Sequence, residues 1–124
     1  MKPISADAAI AAIKQEPGFT ENVGMILVHN GVVRATSRKD TRAVTAVDIS
    51  VDLDRVEALR QEFEKYPGIF RVHAEARSGT LVPGDDVLLL VVAGDIRENV
   101  KAALAEFLDR VKSEAVSKVE HLVD

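Results

Sequence analysis

The sequence predicts an α+β sandwich, with about three helices packed on a mixed, mainly antiparallel sheet. Three observations carry that expectation. Residues 53–66 and 95–120 repeat their apolar side chains at helical spacing, the second stretch ending in a short basic segment. Residues 43–52 and 69–77 alternate apolar with polar side chains, the pattern of strands with one wet face. Residues 87–93 form the most apolar run of the chain and suit a central strand. At 124 residues, with no repeat or linker, the chain reads as a single domain over 1–124 with a modest core.

The elements follow in order. Ser5 is placed as the N-cap of a short helix from Ala6 to about Gln15, which Pro17-Gly18 ends. Residues 23–36 read as one strand, or two joined by a bend. Gly31 within it signals a bulge or a close backbone approach. Residues 37–42 make a basic loop, either solvated or ordered over a ligand. Asp52 caps the helix over 53–66, whose stripe is Leu53, Val56, Leu59, Phe63 and Tyr66, and Pro67-Gly68 stops it. Ser78-Gly79 is a turn, and Pro83-Gly84 suits a tight loop over 81–85. Asp95 with Glu98 makes a capping-box pattern for the long helix, whose stripe runs Ile96, Val100, Leu104, Phe107, Leu108 and Val111. Residues 117–123 close the chain as an edge strand.

Composition excludes several functions. The net charge of −4 and the lack of a basic, aromatic-interleaved stripe argue against nucleic acid as a partner. One Tyr, four Phe and no Trp provide no stacking platform for single strands. No apolar run approaches a membrane span and no signal-peptide pattern opens the chain, so no membrane association is expected and the cytoplasm is the expected location. The absence of cysteine removes disulfides, thiolate metal sites and a cysteine nucleophile. His29, His73 and His121 show no paired spacing, so neither a metal nor a cofactor is expected. His73 reads as a half-exposed strand residue rather than a catalyst.

The candidate functional residues are cations. Arg97, Lys112 and Lys118, set around the stripe of the long helix, are placed to face an anionic ligand, although each taken singly is more simply a solvated surface charge. Arg34 follows the Gly31 interruption. It fits an ordinary exposed strand residue and a guanidinium fork presented to a phosphate equally well.

Together, residues 24–34, 77–85, 95–97, 109–112 and 118–120 resemble the large, catalytic subunit of molybdopterin synthase, in the right order and over nearly all the chain after Glu21. The resemblance implies the hammerhead-like α/β sandwich of that family. It implies sulfur transfer from a thiocarboxylate to cyclic pyranopterin monophosphate, which forms the dithiolene of molybdopterin. The sulfur donor it implies is the C-terminal Gly-Gly tail of a small ubiquitin-like subunit, bound to a homodimer of the large subunit within a heterotetramer. It assigns Lys112 and Lys118 to catalysis, and Arg34, Arg97 and Arg77 to substrate binding. Positive charge at a helix N-terminus suits a phosphate, and an oxyanion developing at an acyl carbon needs cations nearby.

The sequence also departs from the family pattern. Ile96 stands where the family has a histidine before its arginine, and Ala76 stands before Arg77 where the family has another. Val116-Ser117-Lys118 replaces an aromatic-rich run, and the match is to a C-terminally short member. Three readings stand at this point: a divergent synthase subunit, a relative that keeps the fold and tail-binding groove with altered chemistry, and an unrelated dimeric module. The last would scatter Arg34, Arg97, Lys112 and Lys118 over separate faces.

Overall fold

A computed structural model describes residues 4–39 and 41–123; Asp40, in the expected basic loop, and Asp124 lie outside them. The elements are α1 (Ala6–Lys14), α2 (Phe19–Asn22), β1 (Met25–Val32), β2 (Val44–Val51), α3 (Leu53–Glu64), β3 (Ile69–Ala76), β4 (Gly79–Leu81), β5 (Asp86–Gly94), α4 (Arg97–Glu114) and β6 (Val116–Leu122). The α+β expectation holds and the pairing is antiparallel throughout. The strands form two sheets rather than one, ordered β1-β5-β3 and β4-β2-β6.

β5 is the central strand of the first sheet, buried on both faces. Leu88, Leu90 and Val92 pack with α3 and α4 against Leu59, Phe63, Val100, Phe107 and Val111. Leu89, Val91 and Ala93 point the other way, onto Ala9 and Ile13 of α1. Period-two alternation explains the split, and it is why the run has to be apolar throughout. The Phe63 and Phe107 rings meet with centroids 5.2 Å apart, joining α3 to α4. In the second sheet Val44, Val47, Ile49 and Leu81 build a smaller core with Val33. Val51, Val87 and Val116 touch both cores and seat one sheet beside the other.

Local chemistry accounts for most boundaries. Ser5 Oγ accepts from the Ala8 amide at 3.1 Å, and Asp52 Oδ1 accepts from the Arg55 amide at 3.0 Å, as the capping rule requires. The Asp95–Glu98 capping box does not form. The Asp95 amide is held by the Gly68 carbonyl at 2.9 Å, so Asp95 stays with the strand register. Its Oδ1 then accepts from the Ile96 amide at 2.6 Å and from Asn99 at 2.9 Å, and Ile96 takes the N-cap position with no side-chain cap. Gly68 has φ +78°, and a Cβ there would overlap the Asp95 carboxylate, so a glycine is required at this junction.

Of two expectations about strands, the irregularity at Gly31 is present and the turn at Ser78-Gly79 is corrected. The bulge beside Gly31 has its extra residue on β5: Gly31 faces Leu88 and Val32 faces Asp86, leaving Val87 between them. Gly79 belongs to β4, a three-residue strand opposite Ile49, rather than to a turn. Strand character there comes from pairing with β2 and was invisible in so short a run.

Arg55 and Arg110 clamp Glu114, and Arg110 also reaches Glu62, tying α3 to α4. Hydrogen bonds from Arg110 first, then Arg55, hold the Glu114 carboxyl at about 2 against an ordinary 4.5. A depressed carboxyl contributes stability that is present above its ordinary range and is lost as pH falls toward the folded value. Glu114→Gln is therefore expected to flatten the stability profile between pH 4.5 and about 2, measured by urea unfolding across that range. Phe107→Ala, which empties the contact between the two long helices, is expected to cost about 3–5 kcal/mol in the same assay at neutral pH.

Candidate functional site

A cavity of about 550 Å³ opens where the two sheets and the C-terminal end of α4 meet. Its floor is one face of the second sheet. The pairs Val47–Glu120, Ile49–Lys118 and Val51–Val116 lie opposite one another in register, and all six residues line it. From the first sheet come Leu88 and, from the facing strand, His29 and Gly31. Alternation along β1 puts residues 29 and 31 on one side, and α4 brings Lys112 to them from its last turn, where the helix dipole favours a cation. Arg34 and Arg38 enter from the chain after β1. Val33 secures that segment: its amide donates to Asp85 O and its carbonyl accepts from the Gly84 amide, both at 2.9 Å.

The structure thus gathers Arg34, Lys112 and Lys118 around one space, and adds Arg38 to them. Among the described residues none of these four forms an ion pair, whereas Arg55, Arg60, Arg71, Arg97 and Arg110 each sit against a glutamate. The one carboxylate in the lining, Glu120, accepts from the buried Ser37 hydroxyl at 3.1 Å. Four cations against one carboxylate, over an apolar floor, give the cavity a net positive lining of the kind that complements an anion.

Arg97 and Arg77 are placed elsewhere. Arg97 is the first residue of α4 and Lys112 lies fifteen positions on, about 22 Å along the axis. Its side chain is 77% exposed and pairs with Glu98 at 3.4 Å. Arg77 follows β3, with its amide donating to Val87 O at 2.9 Å; its neighbour Ala76 lines the cavity and Arg77 does not. Linear order could not separate these cases, because both ends of a helix are equally near in sequence to its apolar stripe.

His29 is the residue that sequence reasoning missed. Its Nε2 is buried and has no hydrogen-bond partner among the described residues. Burial first, and then the charge of Lys112, push its pKa below the ordinary histidine value. The available signal was the spacing: a histidine two residues before a glycine on a strand shares that glycine's face.

A second hollow, of about 440 Å³, lies between α1, α3 and β3. Its charges satisfy one another: Arg71 pairs with Glu16 at 2.7 Å and Glu64 at 2.8 Å, and Arg60 with Glu64 and Glu57, both at 2.7 Å. His73 is half-exposed beside Glu75 at 3.0 Å. Among the described residues no group of three or more His, Cys, Asp and Glu is arranged to hold a metal ion, and no helix is long and apolar enough to cross a membrane.

A family model described as MoaE protein matches residues 1–114. The chain belongs to the MoaE family. Membership supports a role in molybdenum cofactor biosynthesis. Solved structures show the same fold at low identity. The crystal structure of molybdopterin synthase from Staphylococcus aureus superposes with a TM-score of 0.79 at 18% identity, covering 100% of this chain and 89% of that one. The molybdopterin biosynthesis MoaE protein from Burkholderia ambifaria gives 0.74 at 23%, covering 100% and 85%. A protein–protein complex of subunits 1 and 2 of molybdopterin-converting factor from Helicobacter pylori gives 0.69 at 16%, covering 98% and 82%. No curated protein matches at a significant level in a sequence search.

Proposed function

We propose that this chain is the large, catalytic subunit of a molybdopterin synthase, acting in the cytoplasm. In this reading it moves sulfur from a thiocarboxylated small subunit onto cyclic pyranopterin monophosphate and so forms the dithiolene. The observation that carries the proposal is the convergence of Arg34, Lys112 and Lys118 on one cavity with no ion pair among the described residues. A phosphorylated pterin and the carboxylate-like end of a Gly-Gly tail are both anions, and an apolar floor strengthens each charge–charge contact by excluding water.

Arg34 suits the phosphate, since a guanidinium offers two parallel donors to an anionic group. Lys112 is assigned to the reacting centre, stabilising the oxyanion at the acyl carbon and exchanging protons, with Lys118 assisting from the opposite wall. The small ubiquitin-like subunit is the proposed partner, supported by family membership and by the likeness to a two-subunit complex. Arg97 stands too far along α4 to serve the cavity of its own chain. A substrate-binding role for it requires a second copy, in keeping with a homodimer inside a heterotetramer.

An altered-chemistry reading draws on one observation. Ile96, half-exposed at the start of α4, occupies the place of a family histidine, so the group best suited to proton exchange at neutral pH is missing there. A dimeric binding module without turnover is what that reading expects.

Mixing the chain with a thiocarboxylated small subunit and the pterin precursor distinguishes the two. Formation of the dithiolene product is expected. Lys112→Ala is expected to reduce turnover by about a hundredfold or more, with the circular dichroism spectrum and oligomeric state unchanged. Turnover equal to the parent's would remove Lys112 from the chemistry.

A further inference from the structure

The cavity holds one titratable group to which the proposed reaction assigns no role. The charged residues that line the cavity with His29 are Lys112 from α4, Arg34 and Arg38 from the chain after β1, and Lys118 and Glu120 from β6. The side chains that β2, β3 and β5 contribute to the lining are uncharged. Glu120 accepts from the Ser37 hydroxyl at 3.1 Å. The ring of His29 lies over Gly31, where a Cβ would stand 3.2 Å from Nε2, and the bare glycine is what lets the nitrogen tuck in. Nε2 is buried at the edge of this cavity and has no protein partner among the described residues.

The electrostatics of the two states differ. With no anion bound, burial and then the charge of Lys112 disfavour a further positive charge on the imidazole and lower its pKa. An anion against Lys112, Arg34 and Lys118 offsets their field and supplies an acceptor for a hydrogen on Nε2. The negative charge beside the ring then favours the imidazolium, in which both ring nitrogens donate.

We propose that His29 is a ligand-contacting residue of this cavity that takes up one proton at Nε2 when an anion binds, and becomes a further hydrogen-bond donor to it. The proton comes from solvent, Nδ1 keeps its hydrogen, and no bond between heavy atoms changes. The ligand class is a phosphate or carboxylate-like anion. The inference rests on reading the cavity as an anion site and does not depend on sulfur transfer. It makes anion affinity rise as pH falls, and it leaves a protonated imidazole beside Lys112 for as long as the ligand stays.

The test follows the imidazole resonances of the full chain by NMR, with His29 separated from His73 and His121 by the His29→Gln variant. Sulfate is the probe, because its own charge is constant between about pH 5 and 8. Without sulfate the His29 midpoint is expected below the ordinary histidine range. It is expected to move upward with saturating sulfate, and upward in Lys112→Ala without sulfate. Each unit of upward movement under sulfate corresponds to about a tenfold tighter binding at the acid end than at the alkaline end. That pH dependence is expected to vanish in His29→Gln while some sulfate binding remains. Sulfate that perturbs Arg34 and Lys112 but leaves the His29 midpoint in place would overturn the proposal and spare the anion site. An unmoved midpoint with no sulfate bound would overturn both, whatever the outcome of the sulfur-transfer assay.

Discussion

Burial of β5 on both faces is the constraint on which the rest of the molecule depends. A strand covered on two sides needs partners along both edges, since its amides and carbonyls cannot turn to water. β1 and β3 supply those edges, and α3, α4 and α1 supply the covers. α4 shields the strand around Leu90 and Val92, and its last turn brings Lys112 to the cavity near Leu88. There the second sheet takes over as the opposite wall, and the space between is the candidate site.

Charge is distributed in two ways over this frame. On the outer faces of α3, β3 and α4 the arginines are matched to glutamates, as in the Glu16–Arg71–Glu64–Arg60 chain and the Arg55–Glu114–Arg110 clamp. Such pairs hold elements together and present little field to a ligand. At the cavity the matching stops, and cations from α4, β6 and the segment after β1 face one another across apolar residues. An excess of like charge is costly in an isolated chain, and its natural complement is an anion brought from outside. The residue with most to gain from that neutralisation is His29.

Legibility in the sequence varied with the range of the interaction. Ser5 and Asp52 were readable as caps because a cap is decided within three residues. Asp95 carries the same local signal and does not cap, because a carbonyl twenty-seven residues earlier, that of Gly68, holds its amide. β4 was unreadable for a related reason: three residues carry no period, and only β2 makes them a strand. Of the cations grouped by the sequence, Arg34, Lys112 and Lys118 line one cavity, whereas Arg97 and Arg77 stand apart from it. Arg38 was seen only as part of a basic loop, and His29 only as an unpaired histidine.

By itself the sequence determined the α+β class, the central apolar strand, the two long amphipathic helices and, through its colinear segments, the family. Each of these is carried by short-range periodicity or by order along the chain. The division of the sheet, which strand of the β1–β5 pair carries the extra residue of the bulge, and the membership of the cavity were decided only by the tertiary structure. Those depend on which strand pairs with which, and a pairing partner dozens of residues away leaves no mark in local spacing.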